Sequence, residues 1–206
     1  MRGFLSGGFT SGKAKEQEFA MPIQPKCVIV TGRAGAGKTT LSKKLGGQLW
    51  MPVISRDEIK EGYVNTFGLK HDQLPAQTNG VVTDFFFRIV GQYLANQISV
   101  VIEAAFQHHI WVTRITALEQ LSRPIFIICD VGAETAASRH LQRGLNDANR
   151  EFYHGDKRVS IYKETGAIAP AGDYQAPQFD IPTLHVATDD EYTPSIAEIV
   201  RFVRNS

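Results

Sequence analysis

Residues 27–39 read CVIVTGRAGAGKT, and the stretch divides into three parts with different physics. Cys27 to Thr31 is a β-branched apolar run of the kind that a strand buried on both faces presents. Gly32 to Gly37 is too rich in glycine to continue as strand or helix. From Thr39 the chain continues TTLSKKLGGQL, where Leu41, Leu45 and Leu49 recur at helical spacing. Strand, glycine turn and helix together carry the full pattern Gly-x-x-x-x-Gly-Lys-Thr in the context that gives the pattern meaning.

In such a turn small residues let successive backbone amides point inward around a phosphate, and the following helix N-terminus adds partial positive charge. Gly32, Arg33, Ala34, Gly35, Ala36, Gly37, Lys38 and Thr39, with Thr40 next in line, are therefore read as a phosphate cradle. Lys38 is expected to bridge the β- and γ-phosphates of ATP or a related nucleoside triphosphate, and the Thr39 hydroxyl to ligate Mg2+. A helix terminus contributes only about 0.3–1 kcal/mol per nearby charge, whereas catalysis lowers barriers by about 8–23 kcal/mol. Binding the phosphates is not enough, and further residues must orient an acceptor.

Working outward, Pro52 to Ser55, Ser99 to Ala104 (SVVIEA), Ile125 to Cys129 (IFIIC) and Thr183 to Ala187 (TLHVA) read as four more strands. Helical stretches separate them: one starting at DEIKEGY, then Thr78 to Gln97, Trp111 to Leu121 and Ala133 to Arg143, with Pro194 to Val203 closing the chain. Phe85, Phe86 and Phe87 are read as core. Strands alternating with helices demand right-handed crossovers and a mostly parallel sheet covered on both faces, a three-layer α/β fold. Ligands of such sheets sit beyond the carboxyl ends of the strands, so chemistry should collect just after each strand.

The 206 residues, 43% of them hydrophobic, suit one catalytic domain, expected over residues 23–206. Residues 1–22, Gly- and Ser-rich and without the apolar core of a secretory signal, are expected to be a disordered N-terminal extension. The 22 basic residues nearly cancel the 21 acidic ones, which leaves no global field drawing the chain to nucleic acid or an anionic membrane. No apolar run approaches the roughly 20 residues that span a bilayer, and a cytoplasmic protein is expected. Cys27 and Cys129 lie in apolar runs and read as buried reduced thiols.

Two carboxylates stand at strand ends. Asp57, in ISRDEIK after the second strand, is the candidate base, since an attacking hydroxyl needs a group to aim it and take its proton; the plainer reading is a helix cap. Arg56 and Lys60 flank it as candidate acceptor contacts. Glu103 closes VVIE and is the candidate metal-side acid, with Asp130 as competitor. Arg139 and Arg143, four apart on one helix face, stand at the entrance to a polar stretch, GLNDANREFYHGDKR, read as a mobile lid, and are candidates for stabilising the transferring group. His108, His109, His140 and His154 show no metal-ligand spacing. Gly62 to Asn79 is expected to shape specificity.

The set GRAGAGKTT, ISRDEIK, VVIEAAF and RHLQR, in this order, resembles a group of P-loop kinases. The group includes bacterial AAA-type predicted kinases, polynucleotide kinases, zeta-toxin-like enzymes and chloramphenicol-phosphotransferase-like enzymes. The resemblance implies the P-loop NTPase fold with a parallel five-stranded sheet in the order 2-3-1-4-5, nucleoside-monophosphate-kinase-like with a lid. It implies a catalytic aspartate at Asp57 and a transition-state arginine at Arg139 or Arg143. Three residues after the aspartate, polynucleotide kinases direct an arginine at their acceptor; here Lys60 stands there, and lysine cannot repeat a bidentate contact. A kinase acting on a small molecule or nucleotide is the leading expectation. A 5'-hydroxyl polynucleotide kinase and a nucleotide-dependent ATPase or switch module are the alternatives.

Overall fold

The computed structural model describes residues 23–206, so the expectation for residues 1–22 lies outside the described residues. Strands β1 (Lys26–Gly32), β2 (Val53–Ser55), β3 (Val100–Glu103), β4 (Arg123–Asp130) and β5 (Thr183–Ala187) form one parallel sheet in the order β2-β3-β1-β4-β5. This is the sheet the resemblance implies. Helices α1 (Lys38–Leu49), α2 (Arg56–Phe67), α3 (Thr78–Ala95), α4 (His108–Val112), α5 (Ile115–Leu121), α6 (Ala133–Asn146), α7 (Arg150–His154), α8 (Arg158–Thr165) and α9 (Ile196–Asn205) connect and cover the strands.

The continuous apolar run in β1 follows from burial on both faces. Cys27 and Ile29 pack with Phe86, Val90 and Leu94 of α3, Trp111 of α4 and Leu118 of α5. Val28 and Val30 pack on the other side with Leu41 and Leu45 of α1 and Ile199 and Val203 of α9. Each such side chain taken fully from water contributes about 1.5–3 kcal/mol. Burial also pushes the Cys27 and Cys129 thiols up to about 12, which leaves both protonated and inert.

The helix expected over Trp111 to Leu121 is two helices. Trp111, Ile115 and Leu118 are all buried, at spacings a single helix would give. The chain nevertheless tightens at Thr113 and Arg114, where the Arg114 amide bonds back to the Trp111 carbonyl at 2.9 Å and its guanidinium reaches Asp84 on α3. Trp111 is fully buried among Phe87, Phe106 and Phe126, its indole N–H donating to the Phe106 carbonyl at 3.2 Å. Trp50, by contrast, ends α1 in a left-handed conformation (φ 57°) and is 90% exposed. Helix α9 begins with a capping box of Ser195 and Glu198. Lys26 of β1 caps its last carbonyls, those of Val203 and Arg204, at 2.6 and 2.8 Å. No helix among the described residues is long and apolar enough to cross a membrane.

Candidate active site

The glycine turn between β1 and α1 is held from two sides. Gly35 has φ +85°, and a Cβ there would lie 2.3 Å from the Ala136 carbonyl oxygen of α6. Only glycine allows the turn to approach α6 this closely. On the other side Thr188, just after β5, donates its hydroxyl to the Ala36 carbonyl at 3.1 Å. The cradle is thus framed by α6 and the β5–α9 loop.

Lys38 is almost fully buried, and its ammonium donates to the Arg33 carbonyl across the turn at 2.9 Å. Burial lowers its pKa, against the pull of Glu103. Glu103 is 3% exposed and pairs in register with Val30 of β1 and Ser55 of β2. Its Oε2 accepts from Ser55 Oγ at 2.8 Å and lies 3.5 Å from Thr39 Oγ1. Burial raises the Glu103 carboxyl, opposed by Lys38 and the Ser55 hydrogen bond. Asp130 sits elsewhere, its exposed carboxylate 2.7 Å from His185 Nδ1 on β5. Two hydroxyls and a carboxylate make an all-oxygen set that suits a hard divalent cation such as Mg2+, which keeps several ligands from phosphate and water. Ser55 was not singled out in the sequence, although its place as the last residue of β2, beside the end of β3, carried the signal.

Asp57 occupies the second position of α2, whose cap residue is Ser55, so the capping role weighed for it does not arise. Its carboxylate is half exposed and 3.5 Å from Arg56 Nη1. Burial alone would raise its pKa, but His154, Arg56, Lys38 and Lys60 together hold it below the ordinary aspartate value. Arg56 also donates to the side-chain and backbone oxygens of Asn79 at 2.9 and 3.3 Å, tying α2 to the start of α3. Lys60, one turn after Asp57, is 5% exposed.

The two arginines of α6 line one cavity but have different partners. Arg143 lies where Glu103, Asp57 and Lys38 all feel its charge. Arg139 instead donates to the Thr188 carbonyl at 2.7 Å and to the Asp189 carbonyl, so it holds the β5–α9 loop. With Arg143, Lys44, Thr188 and Tyr192 it lines an open cavity of about 640 Å3 that begins at Gly35, Gly37 and Thr40. Lys44 Nζ lies 4.8 Å from the centre of the Tyr192 ring. The polar stretch read as a lid forms the end of α6, all of α7 and the first residue of α8, and neither α7 nor α8 has a buried residue. It rests on polar contacts: Lys70 with Glu151 and His154 with Glu61, each at 2.9 Å, and His140 with Asp156 at 2.8 Å. A second cavity, of about 430 Å3, opens between Asp57 and this lid, lined also by Arg150, His154 and Arg158.

The strand order and the glycine turn define the class, the three-layer P-loop fold. A family model described as AAA domain matches residues 27–157, more than half of the 206 residues, and the chain belongs to this family of AAA domains. Among solved structures it is similar to a candidate kinase from Chloroflexus aurantiacus, with TM-score 0.72, 23% identity, and 89% of this chain and 98% of that one covered. It is similar also to APS kinase of Mycobacterium tuberculosis in complex with AMPPNP and APS, with TM-score 0.57, 18% identity, and 89% and 98% covered. A sugar kinase from a Janibacter species gives TM-score 0.56 at 14% identity, with 87% and 95% covered. No curated protein sequence matches the chain significantly.

Proposed function

We propose that the protein is an ATP-dependent kinase that transfers the γ-phosphoryl group to a hydroxyl or phosphate oxygen of a small-molecule or nucleotide acceptor. The observation that carries this reading is Asp57, a carboxylate kept ionised beside Lys38 and facing a cavity of about 430 Å3. That volume lies within the range of small-ligand pockets. In this reading the glycine turn and Lys38 hold the β- and γ-phosphates, and the base and ribose occupy the larger cavity along Arg139 and Tyr192. Mg2+ held near Thr39, Ser55 and Glu103 would supply charge neutralisation on the phosphates when bound.

Asp57 accepts the hydrogen bond of the acceptor hydroxyl and aims its oxygen at the γ-phosphorus. The new phosphorus–oxygen bond forms as the bond to the β,γ-bridging oxygen breaks; ADP leaves and the hydroxyl proton passes to Asp57. A carboxylate of lowered pKa is a weak base, which fits a loose transition state where the proton moves late and positioning dominates. Arg143 and Lys38 stabilise the charge spread over the transferring group.

The test is Mg-ATP turnover with pooled acceptors (nucleosides, nucleotides, sugars, aminoglycosides, 5'-hydroxyl oligonucleotides), following labelled phosphate into product. Asp57→Asn is expected to lose transfer by at least about 100-fold, the scale of general-base contributions, with nucleotide affinity retained. Lys38→Ala is expected to lose both. Phosphate release without any acceptor would favour the ATPase or switch reading, and transfer to oligonucleotides alone the polynucleotide kinase.

A further inference from the structure

The cavity beside Asp57 holds a second group able to take a proton. His154 ends α7 and lines the cavity of about 430 Å3 together with Asp57. Its Nε2 lies 2.9 Å from Glu61 Oε1. A carboxylate only accepts hydrogen bonds, so Nε2 carries the hydrogen and, in the neutral ring, Nδ1 carries the lone pair. Glu61 follows Asp57 by four residues on α2, which sets both carboxylates on one face of the helix. Helix α7 packs on α2 and on the 3-10 turn His71–Gln73 that follows it. The seat is close: Gly155, at φ +67°, stands where a Cβ would lie 3.0 Å from His71 Nδ1. The lid thus brings an imidazole to the side of Asp57, held in one tautomer by a carboxylate of the same helix.

Asp57 is well placed to aim a hydroxyl and poorly suited to keep its proton, because the surrounding cations hold it below the ordinary aspartate value. Of those cations a protonated His154 acts most strongly, ahead of Arg56 at 3.5 Å, which puts the ring within close reach of the carboxylate. Burial takes His154 itself below the ordinary histidine value of 6.5, with Arg150 acting in the same direction and Asp57 and Glu61 against it. His71 stands on the neighbouring turn, and the cavity wall adds Lys157, Arg158 and the pair of His140 with Asp156. The ring is therefore neutral at pH 7. By ordinary values, about 6.5 against about 3.9, an imidazole holds a proton roughly 400 times more tightly than an aspartate. We propose that His154, oriented by Glu61, is the second proton acceptor of the reaction: the proton that Asp57 takes from the acceptor hydroxyl passes to His154 Nδ1, directly or through one cavity water, and Asp57 returns to its carboxylate form. The proposal rests on the kinase reading. The hydroxyl O–H bond breaks as its oxygen bonds to phosphorus, the imidazolium that results lies between the carboxylates of Asp57 and Glu61, and its proton goes to solvent after the product leaves. Glu61 fixes the tautomer and stabilises the imidazolium, the part a carboxylate plays behind a histidine base.

The first test needs no acceptor. Imidazole 15N–1H correlation spectra of the full chain are recorded against pH, with the His154 signals identified by their loss in His154→Gln. A neutral ring with hydrogen on Nε2 is expected, titrating below pH 6.5, and its proton affinity should fall at least about threefold when Glu61→Gln removes the neighbouring charge. A ring with hydrogen on Nδ1 overturns the proposal, as does a titration that Glu61→Gln leaves unchanged. The second test is the pH profile of transfer from Mg-ATP to whichever pooled acceptor the wild type phosphorylates. The turnover number should fall on the acid side as His154 takes its proton from solvent. His154→Gln should remove that limb and lower the turnover number at pH 7.5 by at least about tenfold, with KM for Mg-ATP changed less than twofold. Glu61→Gln should move the limb to lower pH. Glu61 is 41% exposed, so this variant decides the matter if His154→Gln does not fold. Transfer that both substitutions leave intact, with the acid limb unmoved, overturns the role of His154 and leaves the kinase standing. No transfer by the wild type to any acceptor overturns the kinase reading and this step with it, whatever tautomer the spectra show.

Discussion

Lys60 shows how one side chain can carry a measurable signature of its surroundings. Its unfolded-state value is 10.5 and its folded-state value about 8. Below pH 8 both states hold the proton and the folded state bears the full cost of a buried ammonium. Between pH 8 and 10.5 the folded state releases the proton while the unfolded state keeps it, so stability rises with pH across that window. Asp57 and Glu61 offset part of the cost, and the ammonium keeps part of its hydration, so only a fraction of that separation appears as stability. Lys60→Met is therefore expected to be more stable than the wild type at pH 7 by about 1 kcal/mol, with the difference closing towards pH 10; urea denaturation at pH 7 and pH 9.5 measures it. At this scale the sequence was informative where a residue's place follows from a strand end. Glu103 and Thr39 come together because β3 lies beside β1 and the glycine turn follows β1. It did not reveal the partners of Arg139, carbonyls at residues 188 and 189, because no spacing within α6 tells which loop will lie opposite.

At the scale of elements, the glycine turn and α6 behave as one unit because their backbones touch at Gly35 and Ala136. Gly35→Ala must displace α6 or the turn, and it forces alanine into a left-handed backbone. We expect it to cost about 1–3 kcal/mol of stability and to weaken nucleotide binding at least tenfold, read by denaturation and by titration of a fluorescent ADP analogue. The lid is built on the opposite plan. Exposed ion pairs such as Lys70 with Glu151 are worth at most about 1 kcal/mol each, whereas the pair of His140 with Asp156 is largely shielded from water. The lid's polar sequence already pointed to a cover that is not core. The break between α4 and α5 was hidden, because Trp111, Ile115 and Leu118 fit one helical stripe. Only Asp84, on a helix distant in sequence, explains why the chain turns at Arg114.

For the whole molecule, the five parallel strands and their order were legible because β-branched runs alternate with helical stretches around a motif of known context; a sheet so built has few alternatives. A ligand held by β1, α1, α6 and the β5–α9 loop couples to global unfolding. Mg-AMPPNP at 100 times its dissociation constant should add about 2.7 kcal/mol. For a chain of this size that is roughly 5–11 °C in Tm, a shift that Lys38→Ala should abolish in differential scanning calorimetry. Helix α1 joins Lys38 at one end to Trp50 at the other, and Trp50 and Trp111 are the chain's only two tryptophans. One indole stands in water and the other in a cage of phenylalanines. Their emission therefore separates by colour, and a dissolved quencher silences only the first. The native protein thus carries two built-in fluorophores, one watching the surface behind the phosphate loop and one the core, each readable without a label.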